Sequence, residues 1–108
     1  MNPQKNEQFH QYLAEIFSLE IEIPLDMFIT IRKVQLTSDL KNAKVFISVL
    51  PFHKMEDGLN FLVKNKNLIK KHLGPKIKNW RVMPELRFIT DDTEEKVSEV
   101  HELIEHLS

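Results

Sequence analysis

The apolar residues of this chain change their spacing several times, and that change constrains the fold more than any other feature. Phe9, Leu13, Ile16 and Phe17 recur at i, i+4, i+7 and i+8. This is one face of an amphipathic helix, predicted over about 15 residues and ending near Leu19. Asn2 and Pro3 read as its N-cap and first helical position, and Pro24 blocks its continuation. The spacing then shortens to every second residue. FITIRKVQLT (28–37) and KVFISVLP (44–51) are β-branched and alternating, and TSDLKNA between them is turn chemistry, so a hairpin is predicted. Val45, Ile47 and Val49 share one side of the second strand. In the first, Ile29 and Ile31 have one parity and Val34 and Leu36 the other. A β-bulge near Arg32 and Lys33 brings all four to the same face.

From Met55 the helical spacing returns. Met55, Leu59, Leu62 and Val63 mark one helix face, and Ile69, Leu73 and Ile77 mark another. Asn65, Lys66 and Asn67 between them make a poor helix centre, so two helices meeting at a kink are predicted, the second running from 68. Gly74 and Pro75 disturb that second helix, because Pro75 lacks an amide hydrogen and collides with the carbonyl of Lys71 in regular geometry. WRVMPELRFIT (80–90) alternates again, with Trp80, Val82, Leu86 and Phe88 on one side and Arg81, Met83, Glu85 and Arg87 on the other. Pro84 points to an edge position or a local irregularity. Asp92 and Glu95 form a capping box for a last helix striped by Val97, Val100, Ile104 and Leu107. The predicted order is α-β-β-α-α-β-α.

A chain of 108 residues, 42% hydrophobic and 29% charged, is expected to be one globular domain. With no cysteine, disulfides, thiolate metal sites and cysteine nucleophiles are excluded. No apolar run approaches the roughly 18 residues of a membrane span, and no signal-peptide pattern opens the sequence. A cytoplasmic monomer with no membrane partner is the expectation. No two histidines have the spacing of a helical metal site, and His101 faces Glu105 at i+4 as a surface pair. The carboxylates at Asp91, Asp92, Glu94 and Glu95 suit a helix start rather than catalysis. With only two glycines there is no phosphate-cradling loop. Neither a cofactor nor an enzymatic activity is expected.

Charge is segregated along the chain. Residues 1–31 carry net −4, residues 32–87 net +9 and residues 88–108 net −6. The positive charge peaks in VKNKNLIKKHLGPKIKNWR (63–81), and no acid occurs from Gly58 through Met83. Lysines commonly solvate a helix surface, but ordinary solvated helices mix signs. An unmixed stretch at a helix–kink–helix is a candidate footprint for a polyanion. The candidates for polyanion contact, which the family resemblance given below makes RNA-binding candidates, are Lys64, Lys66, Asn67, Lys70, Lys71, Lys76, Lys78 and Arg81. Lys66 and Asn67 are expected at the apex, with Lys64 and Lys71 on opposite sides of it, and helix N-terminal amides there can add a phosphate contact. Arg32, Lys33, Lys41 and Lys44 around the hairpin rank lower, and Arg81 and Arg87 on the outer parity of the third strand can extend the patch. Phe46 and Trp80 can stack on bases, although core packing is the commoner use of such residues. The acidic last helix reads as a lid on the core, with contact to a basic protein or competition with RNA as the other reading.

VQLTSDLKNAKVFISVLP (34–51), the kinked helix pair and VMPELRFITDD (82–92) together resemble the bacterial ribosome-binding factor A family. The likeness is sharpest in SDLKNAKVFIS and PELRFITD. It implies an α+β, type II KH-like α-β-β-α-α-β fold, with the helix pair on one face of a three-stranded sheet. Residues 1–92 would form the family-like core and 93–108 an additional C-terminal helix. It further implies an assembly factor of the small ribosomal subunit that binds rRNA, assists processing of its 5′ end and matters most in the cold. The resemblance implies neither catalysis nor a cofactor. This family typically has an Ala-x-Gly kink where this chain has Asn65, Lys66 and Asn67, and Pro75 is an addition here. The rival class is a protein-interaction or regulatory α+β domain that shares only the architecture.

Overall fold

The computed structural model describes residues 3–90. Asn2, the capping box at Asp92 and Glu95 and the predicted helix over 93–107 lie outside the described residues. Helix α1 spans Pro3–Leu19 and buries Phe9, Leu13, Ile16 and Phe17, the face its spacing marks out. Strand β1 (Phe28–Leu36) runs antiparallel to β2 (Asn42–Leu50). The predicted bulge is present. Ile31 faces Ile47 and Lys33 faces Phe46, so Arg32 is the extra residue. One inserted residue flips the parity, and Ile31, Val34 and Leu36 therefore all reach the core while Ile29 is half-buried.

The hairpin turn is held by its own polar groups. Thr37 N–H donates to the Asn42 carbonyl at 2.9 Å. The Asp39 carboxylate accepts from the Thr37 hydroxyl at 2.7 Å and from the Lys41 amide at 3.0 Å. These donors hold Asp39 below the usual carboxylate range, the Thr37 hydroxyl contributing most. Leu40 adopts a left-handed backbone (φ 62°) and packs against the core.

After a single 3-10 turn at Phe52–Lys54 come α2 (Met55–Lys64) and α3 (Lys66–Leu73). The helix pair is the crossover that a parallel pairing requires, and β3 (Glu85–Thr90) lies parallel to β2. The strand order is β1-β2-β3, so β3 is an edge among the described residues, with Pro84 just ahead of it where no ladder amide is needed. Among the described residues, α1, α2 and α3 cover one face of the sheet. From it Ala43, Val45, Ile47, Val49, Leu86 and Phe88 point into the core, and no polar or charged residue is buried among those described.

Two expectations change. Val63 was predicted on the core face of α2 but is 52% exposed. Gly58 occupies that contact instead, and a Cβ there would lie 2.7 Å from Val49 Cγ2, so α2 sits with its backbone nearly on β2. The third strand was predicted from Trp80 but starts at Glu85. Gly74–Trp80 forms a 3-10 helix, which keeps Ile77 and Trp80 buried without a strand. Gly74 itself is in the right-handed helical region (φ −48°, ψ −52°) immediately before Pro75. A Cβ on a helical residue meets the following proline ring, which glycine avoids.

Candidate RNA-binding surface

The kink between α2 and α3 is built on one residue. Asn65 lies in the bridge region (φ −98°, ψ 12°), ending α2 and starting α3. Its side-chain amide donates to the Phe61 carbonyl at 2.8 Å, and its own carbonyl accepts from Ile69 N–H at 2.9 Å. The backbone passes from one helix to the next without a left-handed residue. Among described non-glycine residues only Leu40 and Arg81 have positive φ. Asn67, which stands where the family resemblance places a glycine, is an exposed first-turn residue of α3, which begins at Lys66 rather than 68. Leu62 before the kink and Ile69 after it are both fully buried, so each helix is anchored in the core on its own side of Asn65.

The eight candidates do not form one even patch. Lys66 and Lys70, one turn apart on α3, converge on Glu85 at the start of β3, at 3.4 and 3.2 Å. That pairing holds the Glu85 carboxyl below its ordinary range, Lys70 contributing most and Lys66 next. Lys76 is drawn the other way, to Glu15 of α1 at 2.6 Å, with its ammonium 5.8 Å from the Tyr12 ring centre. His72 Nδ1 lies 3.5 Å from Glu20 of α1. Lys64 borders an open hollow of about 420 Å³ that also includes Asp26 and Asp57. Lys71, Lys78 and Arg81 are exposed, and among the described residues none of them has an ion-pair partner. Arg81 closes the 3-10 helix in a left-handed conformation (φ 67°) that most side chains avoid.

The acid-free stretch is therefore not acid-free in space. Glu15, Glu20 and Glu85 reach it from α1 and β3. These are exposed pairs worth little to stability, and a phosphate can replace the carboxylate at each lysine. Trp80 stacks on Phe9 with ring centres 5.6 Å apart and Lys5 over it at 4.9 Å. It is core, not a platform for bases. Phe46 is half-buried on the helix-free face, with Lys33 Nζ 4.9 Å from its ring centre. Among the described residues no group of three or more acids or histidines is placed to hold a metal. No helix there is long and apolar enough to cross a membrane.

The family model for ribosome-binding factor A matches residues 2–104 of this chain. The chain belongs to the ribosome-binding factor A family. A ribosome-binding factor A from Staphylococcus carnosus is 36% identical over 102 residues, which is 94% of this chain and 88% of that protein. The crystal structure of ribosome-binding factor A from Thermus thermophilus superposes with a TM-score of 0.72 at 20% identity, covering 83% of this chain and 96% of that one. A Thermotoga maritima protein assigned to ribosome binding factor A, solved in solution, gives 0.66 at 22% identity over 80% of this chain and 82% of its own. These two superpositions carry the KH-like α+β fold, and the family model reaches into the acidic segment after Thr90. Membership of the ribosome-binding factor A family was legible in the hairpin and β3 motifs.

Proposed function

We propose that this chain is an assembly factor that binds the small ribosomal subunit through its rRNA. It acts late in maturation, assists 5′-end processing of that rRNA, and counts most in the cold. It works as a cytoplasmic monomer without a cofactor and performs no bond chemistry. Binding energy that favours one rRNA conformation over another is the whole mechanism. The observation that carries the reading is the kinked α2–α3 pair with its lysines, in a chain of the ribosome-binding factor A family. Lys71, Lys78 and Arg81 stand ready for phosphates, while Lys66 and Lys70 exchange Glu85 for phosphate on binding. Lys64, Asn67 and Lys76 flank them.

The test is co-sedimentation with isolated small subunits. A variant with Lys71→Glu and Lys78→Glu should lose at least about tenfold in affinity while its circular dichroism stays that of the parent. Undiminished binding by that folded variant would reject the helix-pair interface.

A further inference from the structure

The three helices leave the other face of the sheet bare among the described residues. Its side chains form rungs across the strands. Phe28 faces Leu50 and Thr30 faces Ser48. Lys33, Phe46 and Ile89 make the next rung, and Gln35, Lys44 and Arg87 the one after. Phe28 is 72% and Leu50 46% exposed, and Phe46 lies half-buried between them and the cations. Phe46 and the Phe28–Leu50 rung are four residues apart along β2, about 13 Å.

Lys44 and Arg87 stand directly opposite one another on neighbouring strands. Like charges so placed destabilise a sheet. Neither has an ion-pair partner among the described residues. Glu85, the acid on the same side of β3, has its carboxylate drawn to Lys66 and Lys70 on α3. Beside Lys44 a hollow of about 160 Å³ opens, lined by Gln35, Leu36, Thr37 and Asn42. Aromatic rings set among cations that have no carboxylate partner among the described residues suit unstacked bases and their phosphates, whereas a duplex hides its base faces.

We propose that the open face of the sheet is a second RNA surface, one that takes single-stranded RNA. Phe46 and Phe28 receive bases, and Lys33, Lys44 and Arg87 receive the phosphates between and beside them. This rests on the RNA-binding reading above and adds a ligand class and a surface on the side of the sheet opposite the α2–α3 kink. A rRNA end leaving a helix bound at the kink would be held single-stranded here.

The experiment titrates the isotopically labelled full-length chain with a 12-nucleotide single-stranded RNA of mixed sequence and follows the backbone amides by NMR. Shift changes are expected at residues 33–35, 44–46 and 87–89. By fluorescence anisotropy with the same labelled strand, Lys44→Glu with Arg87→Glu should lose at least about tenfold in affinity. Its log–log salt slope should fall by about 1.4, two single-strand phosphates. Phe46→Leu keeps an apolar side chain but no aromatic face, and should also lose about tenfold. Amide changes confined to residues 64–81, or parental affinity in both variants, would overturn the proposal and leave the helix-pair interface intact. Failure of that interface reads separately, in subunit co-sedimentation of the Lys71→Glu, Lys78→Glu chain. The acidic residues after Thr90 offer another occupant. If Glu99→Gln with Glu102→Gln and Glu105→Gln in the full chain shifts the Lys44 and Arg87 amides without RNA and raises strand affinity, the face belongs to the chain's own segment and the proposal falls.

Discussion

Gly58 is where one methyl group decides how closely α2 lies on the sheet. An added Cβ would meet Val49 Cγ2 at 2.7 Å, and that methyl belongs to a stiff β-branched side chain on the central strand. Alanine normally favours a helix over glycine by about 1 kcal/mol. Here overpacking should outweigh that, and Gly58→Ala should destabilise the fold by about 1–3 kcal/mol in urea unfolding. Parental or higher stability would show that the helix can lift off without cost. The periodicity around Met55 and Leu62 was readable, but it named Val63 as core. A glycine carries no apolar signal, so the close approach was invisible until β2 lay beneath it. The turn at the kink falls on Asn65 rather than on Asn67 for a related reason. Asparagine's tolerance of left-handed backbone is real, yet the packing of Leu62 and Ile69 lets Asn65 turn the chain in the bridge region.

The elements around the kink are tied by exposed charges, and Glu85 at the head of β3 is the main tie to α3. Replacing it by Gln should free Lys66 and Lys70 and remove a carboxylate that competes with phosphate. Small-subunit binding by Glu85→Gln should therefore tighten, by about three- to tenfold at low salt. Weaker binding would mean that Glu85 positions the lysines productively. The pH dependence follows from the same pairing. The folded pKa of Glu85 is depressed, chiefly by Lys70, so its stabilising contribution is complete above the ordinary carboxylate range. It is lost as pH falls through the depressed value. The stability gap between parent and Glu85→Gln should close over that acid window, as denaturant unfolding at stepped pH would measure. Asp26, lowered by its hydrogen bond from Lys54, and Asp39 titrate in the same direction but are common to both chains. At this scale the strands and helices were largely legible, including the bulge, because period and parity are local. The start of β3 was not, because Trp80 alternates correctly with Val82 yet packs on Phe9 from a 3-10 helix.

Across the whole molecule the net charge of −1 conceals a basic middle between acidic ends. No charged residue is buried among those described, so salt should leave stability nearly unchanged while weakening subunit binding steeply. A flat salt response in co-sedimentation would instead favour a protein partner. The sequence by itself determined the order of the α-helices and strands among residues 3–90, the core faces of α1, β1 and β2, the bulge and the family, because side-chain period and short motifs are properties of neighbours along the chain. Only the tertiary structure decided which lysines are neutralised. Glu15, Glu20 and Glu85 come from outside the acid-free stretch, and no linear count of charge brings them to Lys76, His72, Lys66 and Lys70. It also decided that β3 pairs beside β2 in a register that leaves Phe46, Lys44 and Arg87 facing outward together, on the side of the sheet away from the described helices. Electrostatics and burial act through distance in space, and that distance is set only when β3 docks beside β2.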